Sequence, residues 1–192
     1  PAERIGIVGL GTGATACWAQ PGQRWTFFEI DPLMVHVARD TGLFTYLRDC
    51  TPDARIVLGD ARLTLANEPD GAFDVLAIDA FTSDAIPLHL LTAEAFALYG
   101  RRLAPGGVLL VHVSNRHLDL LPVLGAVARE QAWEIYVRKD VPAARDGVYL
   151  TSSTWVWMAR EGAPVTWRPG GIVEKAWEEY EAGKTVRAWT DG

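Results

Sequence analysis

Residues 5–13 read I-G-I-V-G-L-G-T-G, an apolar strand running straight into a glycine turn. Glycines at 9, 11 and 13 let a backbone approach a ligand closely ahead of a helix N-terminus. Three further apolar runs each close on an acid. W-T-F-F-E-I-D-P puts Glu29 20 residues after Gly9, R-I-V-L-G-D-A-R-L carries Asp60, and V-L-A-I-D-A-F-T-S-D-A-I-P carries Asp79 and Asp84. The runs are dense in Val, Ile, Leu and Phe and barely alternate, as strands do when helices cover both sheet faces. Strand and helix segments alternate, so the expected fold is α/β: a doubly wound, mostly parallel, seven-stranded Rossmann-like sheet. In such a sheet ligands bind outside the carboxyl ends of the strands. The acids therefore converge on one crevice, suited to a nucleoside with hydroxyls and a cationic portion.

The spacing predicts strands near 4–9, 25–30, 54–58, 73–79, 107–113, 132–138 and 154–159, the last antiparallel. It predicts helices near 13–20, 32–40, 60–66, 92–103 and 118–131. Asp31 precedes Pro32, a capping residue before proline at the first helical position. Ala-Pro-Gly-Gly at 104–107 ends a helix and launches a strand. Residues 140–153 read as a polar hairpin connection, 161–171 as a surface segment and 172–182 as a short amphipathic helix. The expected division is one nucleoside-binding domain over 1–160, with 161–192 as an extension packed on it. The chain opens at Pro1 just before the first strand and ends at A-W-T-D-G, so a piece of a longer protein is expected.

Each acid carries a candidate role beside a plainer one. Glu29 accepts the ribose hydroxyls, or merely meets a helix dipole, a part that Asp31 fits better. Asp60 accepts the adenine amine, or caps the helix starting at Ala61; both hold together if the Ala61 amide donates to a ring nitrogen. Asp79, at the strand end, and Asp84, in the following loop, attract a cationic amine, and one of them takes its proton. The plainer part for Asp84 is to cap the turn before Pro87 with Ser83. Gly9-x-Gly11-x-x-Ala14 alone also satisfies a dinucleotide fingerprint, but a dinucleotide oxidoreductase has less need of Asp60 and would want a substrate domain.

Composition narrows the field. The chain has 192 residues, is 49% apolar and carries a net charge of −6. That supports a real core and argues against a nucleic-acid surface. No run of 18 apolar residues spans a membrane. Of the four histidines, His36, His89, His112 and His117, His89 is placed to face the site and His112 reads as core; no spacing suggests a metal. Most of the eight tryptophans fall late in the chain and read as core packing rather than a substrate cage. Cys17 reads as a small buried apolar residue, and Cys17 and Cys50 make no disulfide framework. A reduced cytoplasmic setting is the expectation.

Together the G-L-G-T-G turn, F-F-E-I-D-P, L-G-D-A-R-L, D-A-F-T-S-D-A-I-P-L-H-L-L-T and A-P-G-G-V-L-L-V-H-V-S-N-R resemble the spermidine synthase family of polyamine aminopropyltransferases. The resemblance runs from residue 4 to about 160 and is most specific over Asp79–Thr92. It is closest to spermidine synthase-like domains fused to membrane transporter-like segments. It implies the class I AdoMet-dependent methyltransferase fold, decarboxylated S-adenosylmethionine as donor and a diamine such as putrescine as acceptor. It implies Glu29 for ribose, Asp60 for adenine, and Asp79 and Asp84 as the paired aspartates that hold the amines and deprotonate the acceptor. The expected partners are a small amine, no nucleic acid, a membrane module outside this chain that would tether it, and a second copy in a homodimer. Three departures stand out. Thr12 replaces the acid of the family's G-G-G-D-G turn, the loop between the aspartates is longer than D-S-S-D, and the N-terminal hairpin domain is missing from this chain. Two other readings are a methyltransferase using intact AdoMet and a non-catalytic nucleoside-binding domain.

Overall fold

Buried apolar runs set the centre of the sheet. Strand β1 (Arg4–Val8) is buried from Ile5 onward, β2 (Arg24–Glu29) from Trp25 onward, and β4 (Phe73–Ile78) carries Leu76, Ala77 and Ile78 in the core. Between β2 and β4 comes β3 (Arg55–Leu58), less buried because it lies at the sheet edge. A computed structural model describes residues 2–81, 86–114, 118–141, 152–165, 177–181, 183 and 186–191. Its later strands are β5 (Leu103–His112), β6 (Trp133–Asp140), β7 (Ser153–Arg160) and β8 (Trp177–Glu179).

Spatial order is β3-β2-β1-β4-β5-β7-β6-β8. The first five pair in parallel, and β7 runs antiparallel to both β5 and β6. The expected doubly wound sheet is present, with β8 as an eighth, short strand antiparallel to β6. β8 replaces part of the amphipathic helix expected over 172–182; Tyr136–Arg138 of β6 offers it an open edge. β5 begins at Leu103 rather than 107, because a register shift between Phe73 and Val75 lets Ala104–Gly107 bulge within the ladder.

Helices cover both faces. On one face α3 (Ala61–Ala66), α4 (Ala93–Arg102) and α5 (Leu121–Gln131) bury Leu65, Phe96 and Leu124 against the sheet. On the other, α1 (Pro32–Arg39) and α2 (Tyr46–Cys50) bury Ala38 and Leu47 against Ile5, Ile7 and Phe27. Capping matches the sequence reading at Asp31 and Asp60, and the structure adds Thr92. Asp31 accepts from the Leu33 N–H at 2.8 Å, Asp60 from Arg62 and Leu63, and Thr92 from Ala95. The helix expected over 13–20 is only a 3-10 turn, Ala14–Trp18, because Gly13 supplies no side-chain cap and Pro21-Gly22 turns the chain at once.

The cysteines correct the sequence reading. Cys17 is exposed, and it is disulfide-bonded to Cys50 with Cα atoms 4.9 Å apart. The cause is α2, too short to show periodicity, which packs on the 3-10 turn and brings residue 50 beside residue 17. The cysteines therefore give no support to a reducing compartment. Among the described residues, no helix is long and apolar enough to cross a membrane.

Candidate functional site

Parallel pairing brings the acids together. The ladder continues past the strand ends: Gly9 N–H donates to the Phe28 carbonyl, Asp79 N–H to Val8 and Gly59 N–H to Glu29, each at 2.8 Å. Residues 9, 29, 59 and 79 thus lie along one carboxyl edge. A cleft of about 610 Å³ opens there, lined by Gly9, Gly11, Glu29, Asp60, Ala61 and Asp79 and floored by apolar side chains such as Phe28 and Met34. That volume suits a nucleoside-sized ligand. A second cleft of about 640 Å³ lies around residues 19–26 and 50–55, and Glu29, Asp60 and Asp79 take no part in it.

Gly9 has φ +98°, and a Cβ there would overlap the Asp79 carbonyl. Only glycine fits where β1 and β4 close the cleft floor. Gly11 has open space above it and faces the cleft. Gly13 does not line it. Its φ of +83° starts the 3-10 turn, and a Cβ would meet Leu47 at 3.0 Å, so this glycine serves packing on α2.

Glu29 is buried, 8% exposed, at the end of β2. Its Oε2 accepts from the Leu10 N–H and its Oε1 from the Asp31 N–H, both at 2.9 Å. One side chain therefore ties the glycine turn to the start of α1. Each carboxylate oxygen retains acceptor capacity for a further donor in the cleft. Asp60 both caps α3 and faces the cleft. Oδ1 accepts from Arg62 and Leu63 N–H groups, while Oδ2 lies 3.2 Å from His89 Nε2. Asp84 and Ser83 lie outside the described residues.

Asp79 shows what the sequence reading missed. Its Oδ1 meets His112 Nδ1 at 2.7 Å, and His112 Nε2 meets Ser114 Oγ at 2.7 Å. The imidazole stacks on Trp155, with ring centroids 4.5 Å apart and planes 5° apart, and meets Phe81 edge-on. His112 is thus a partner of the site rather than plain core. Core packing does describe Trp133 and Trp157, whereas Trp155 stacks on His112, the partner of Asp79. One signal was available: His112 ends β5, the strand next to β4. The Trp155 contact was not readable, since it depends on the antiparallel register pairing His112 with Trp155.

The C-terminal tail closes on the same side. Asp191 takes a two-pronged pair of bonds from Arg62 at 2.7 Å and a third from Thr92 at 2.8 Å. These bonds, Arg62's first, hold the Asp191 carboxyl down at about 2. Burial of Tyr99 beneath this region pushes its hydroxyl well above the usual range.

No family model matches the chain. It is 31% identical over 115 residues to a polyamine aminopropyltransferase of Vibrio vulnificus (strain CMCP6), covering 57% of this chain and 37% of that one. A Mycobacterium tuberculosis (strain CDC 1551 / Oshkosh) protein of the same name is 32% identical over 126 residues, covering 59% and 23%. The chain therefore spans well under half the length of these curated relatives. Among solved structures, a probable spermidine synthase from Corynebacterium glutamicum ATCC 13032 superposes with a TM-score of 0.71 at 20% identity, over 99% of this chain and 72% of the other. The O-methyltransferase TomG from Streptomyces achromogenes, solved with SAM, gives 0.59 at 16% identity over 84% and 74%. The fold is that of the class I AdoMet-dependent methyltransferases. In sequence the chain is similar to polyamine aminopropyltransferases, as its motifs implied.

Proposed function

We propose that this chain is the nucleoside-binding domain of a transferase that moves an aminopropyl group from decarboxylated S-adenosylmethionine to a diamine such as putrescine. The observation that carries this reading is the gathering of Glu29, Asp60 and Asp79 around one cleft at the carboxyl edge of the sheet. In this reading Glu29 takes the ribose hydroxyls, and Asp60 with the Ala61 N–H reads the adenine edge. Gly9 and Gly11 admit the sulfonium side of the donor. Asp79 holds the ammonium of the acceptor, and Asp84 accepts its proton. The amine nitrogen attacks the carbon beside the sulfonium, the carbon–sulfur bond breaks, methylthioadenosine departs and the nitrogen loses a proton. The protein's share is positioning and proton removal.

Methyl transfer from intact AdoMet is the second reading. It is supported by the fold shared with an O-methyltransferase solved with SAM; Thr12 does not separate the donors, since both carry the ammonium that the family's acid would meet. One experiment separates the two. The protein, with whatever flanking sequence it has in its gene, is supplied with either donor plus putrescine, and products are identified by mass. Spermidine formed from the decarboxylated donor, lowered roughly 10²- to 10⁴-fold by Asp84→Asn, is the expected result. Methylated product alone would establish the second reading.

A further inference from the structure

The imidazole of His112 is held from every side. Nδ1 meets Asp79 Oδ1, Nε2 meets Ser114 Oγ, Trp155 covers one face and Phe81 lies edge-on. Ser114 is itself anchored, since its Oγ accepts the Thr154 N–H at 2.8 Å. Two strands supply the frame: His112 ends β5, and Trp155 is its cross-strand partner on β7. The side chains of His112 and Asp79 are 20% and 25% exposed, so both are largely shielded from bulk solvent, and Asp79 lines the cleft.

Donor and acceptor inventory places a proton on Nδ1. A carboxylate only accepts, so Nδ1 must carry the proton that goes to Asp79. Ser114 Oγ accepts a backbone N–H on one lone pair; its hydroxyl donates to Nε2 of a neutral ring, or its second lone pair accepts Nε2–H of an imidazolium. Either way Thr154 N–H, Ser114 Oγ, both ring nitrogens of His112 and Oδ1 of Asp79 are all paired. A network satisfied throughout is stiff. It holds Oδ1 of Asp79 in place and leaves Oδ2 as the carboxylate oxygen that His112 does not use, on a residue that lines the cleft.

We propose that His112, locked by Ser114 and Trp155, is the positioning residue that aims the Asp79 carboxylate at the acceptor amine; this rests on the aminopropyl transfer proposed above. His112 touches neither substrate. It acts by restricting Asp79 to one rotamer, and near-attack geometry is sensitive to displacements of an ångström.

Two variants and one spectroscopic measurement test this. H112F keeps a flat ring on Trp155 but has no nitrogen. H112N places its side-chain Nδ2 near the position of the imidazole Nδ1 and can still donate to Asp79. H112F is expected to lower kcat roughly tenfold to a hundredfold, with methylthioadenosine affinity within about twofold of the parent. H112N is expected to recover most of that loss. A merely structural histidine would favour H112F, the better ring filler, and H112N as slow as H112F would overturn the proposal. So would H112F at parental turnover. Long-range proton–nitrogen NMR of the His112 ring gives a readout without activity. A proton on Nδ1, with or without one on Nε2, agrees; a ring protonated on Nε2 alone overturns the inference. Failure of the parent protein to transfer any aminopropyl group would instead overturn the proposed function, whereas the ring's protonation tests the His112–Asp79 bond independently of turnover.

Discussion

Glu29→Gln separates a structural carboxylate from a ligand-binding one. Glu29 accepts two backbone N–H groups, one on each oxygen, from Leu10 and Asp31. A glutamine offers one oxygen and one NH₂, so one of those amides faces a donor. An unsatisfied buried amide costs about 1–3 kcal/mol, and with a slope of about 2 kcal/mol per molar the urea midpoint should fall by roughly 0.5–1.5 M. Binding carries a separate loss. A ribose hydroxyl that bonded a carboxylate loses about 1.5–3 kcal/mol, or roughly 10- to 150-fold in affinity. The assay is titration calorimetry of methylthioadenosine and its 2′-deoxy analogue on both proteins, beside urea melts. The variant should lose affinity for the ribonucleoside, and much less for the deoxy ligand, which never made the full set of bonds. A lowered urea midpoint with unchanged methylthioadenosine affinity would refute the ribose assignment and leave Glu29 as a strut for the glycine turn.

Two further outcomes follow from the geometry. The Cys17–Cys50 bond closes a span of 33 residues, so replacing both cysteines by serine should cost about 3–4 kcal/mol and lower Tm by roughly 6–15 °C; an unchanged Tm, or two thiols reactive in the native unreduced protein, would sink this. Asp191 titrates at about 2 in the fold against an ordinary 3.8, so its contribution is complete above pH 3.8 and is lost as pH falls from there through about 2. Urea midpoints measured from pH 5 to pH 2 should therefore fall more steeply for the parent than for Asp191→Asn, and equal slopes would rule the tail contact out.

The main outline of the fold was legible because its signals are local. Buried parallel strands read as continuous apolar runs, and the chain ends them with Gly9, Glu29, Gly59 and Asp79. Caps at Asp31, Asp60 and Thr92 act within three residues of the helix start, so they too can be read along the chain. The convergence of the three acids also followed from sequence, because parallel strands must place their carboxyl ends on one side of the sheet. Sequence did not reveal whatever depends on distant segments meeting. Helix α2 is too short to announce itself, so the Cys17–Cys50 bond came only with the packing of α2 on the 3-10 turn. Gly13 reads as part of a ligand loop, yet its neighbour is Leu47 of α2. His112 looks apolar by its strand, and its role appears only when β4 lies beside β5 and β7 returns antiparallel to set Trp155 against the ring. Local hydrogen-bonding and burial preferences are written residue by residue, whereas the partners of Asp79 are chosen by strand order and register, which exist only once the sheet has formed.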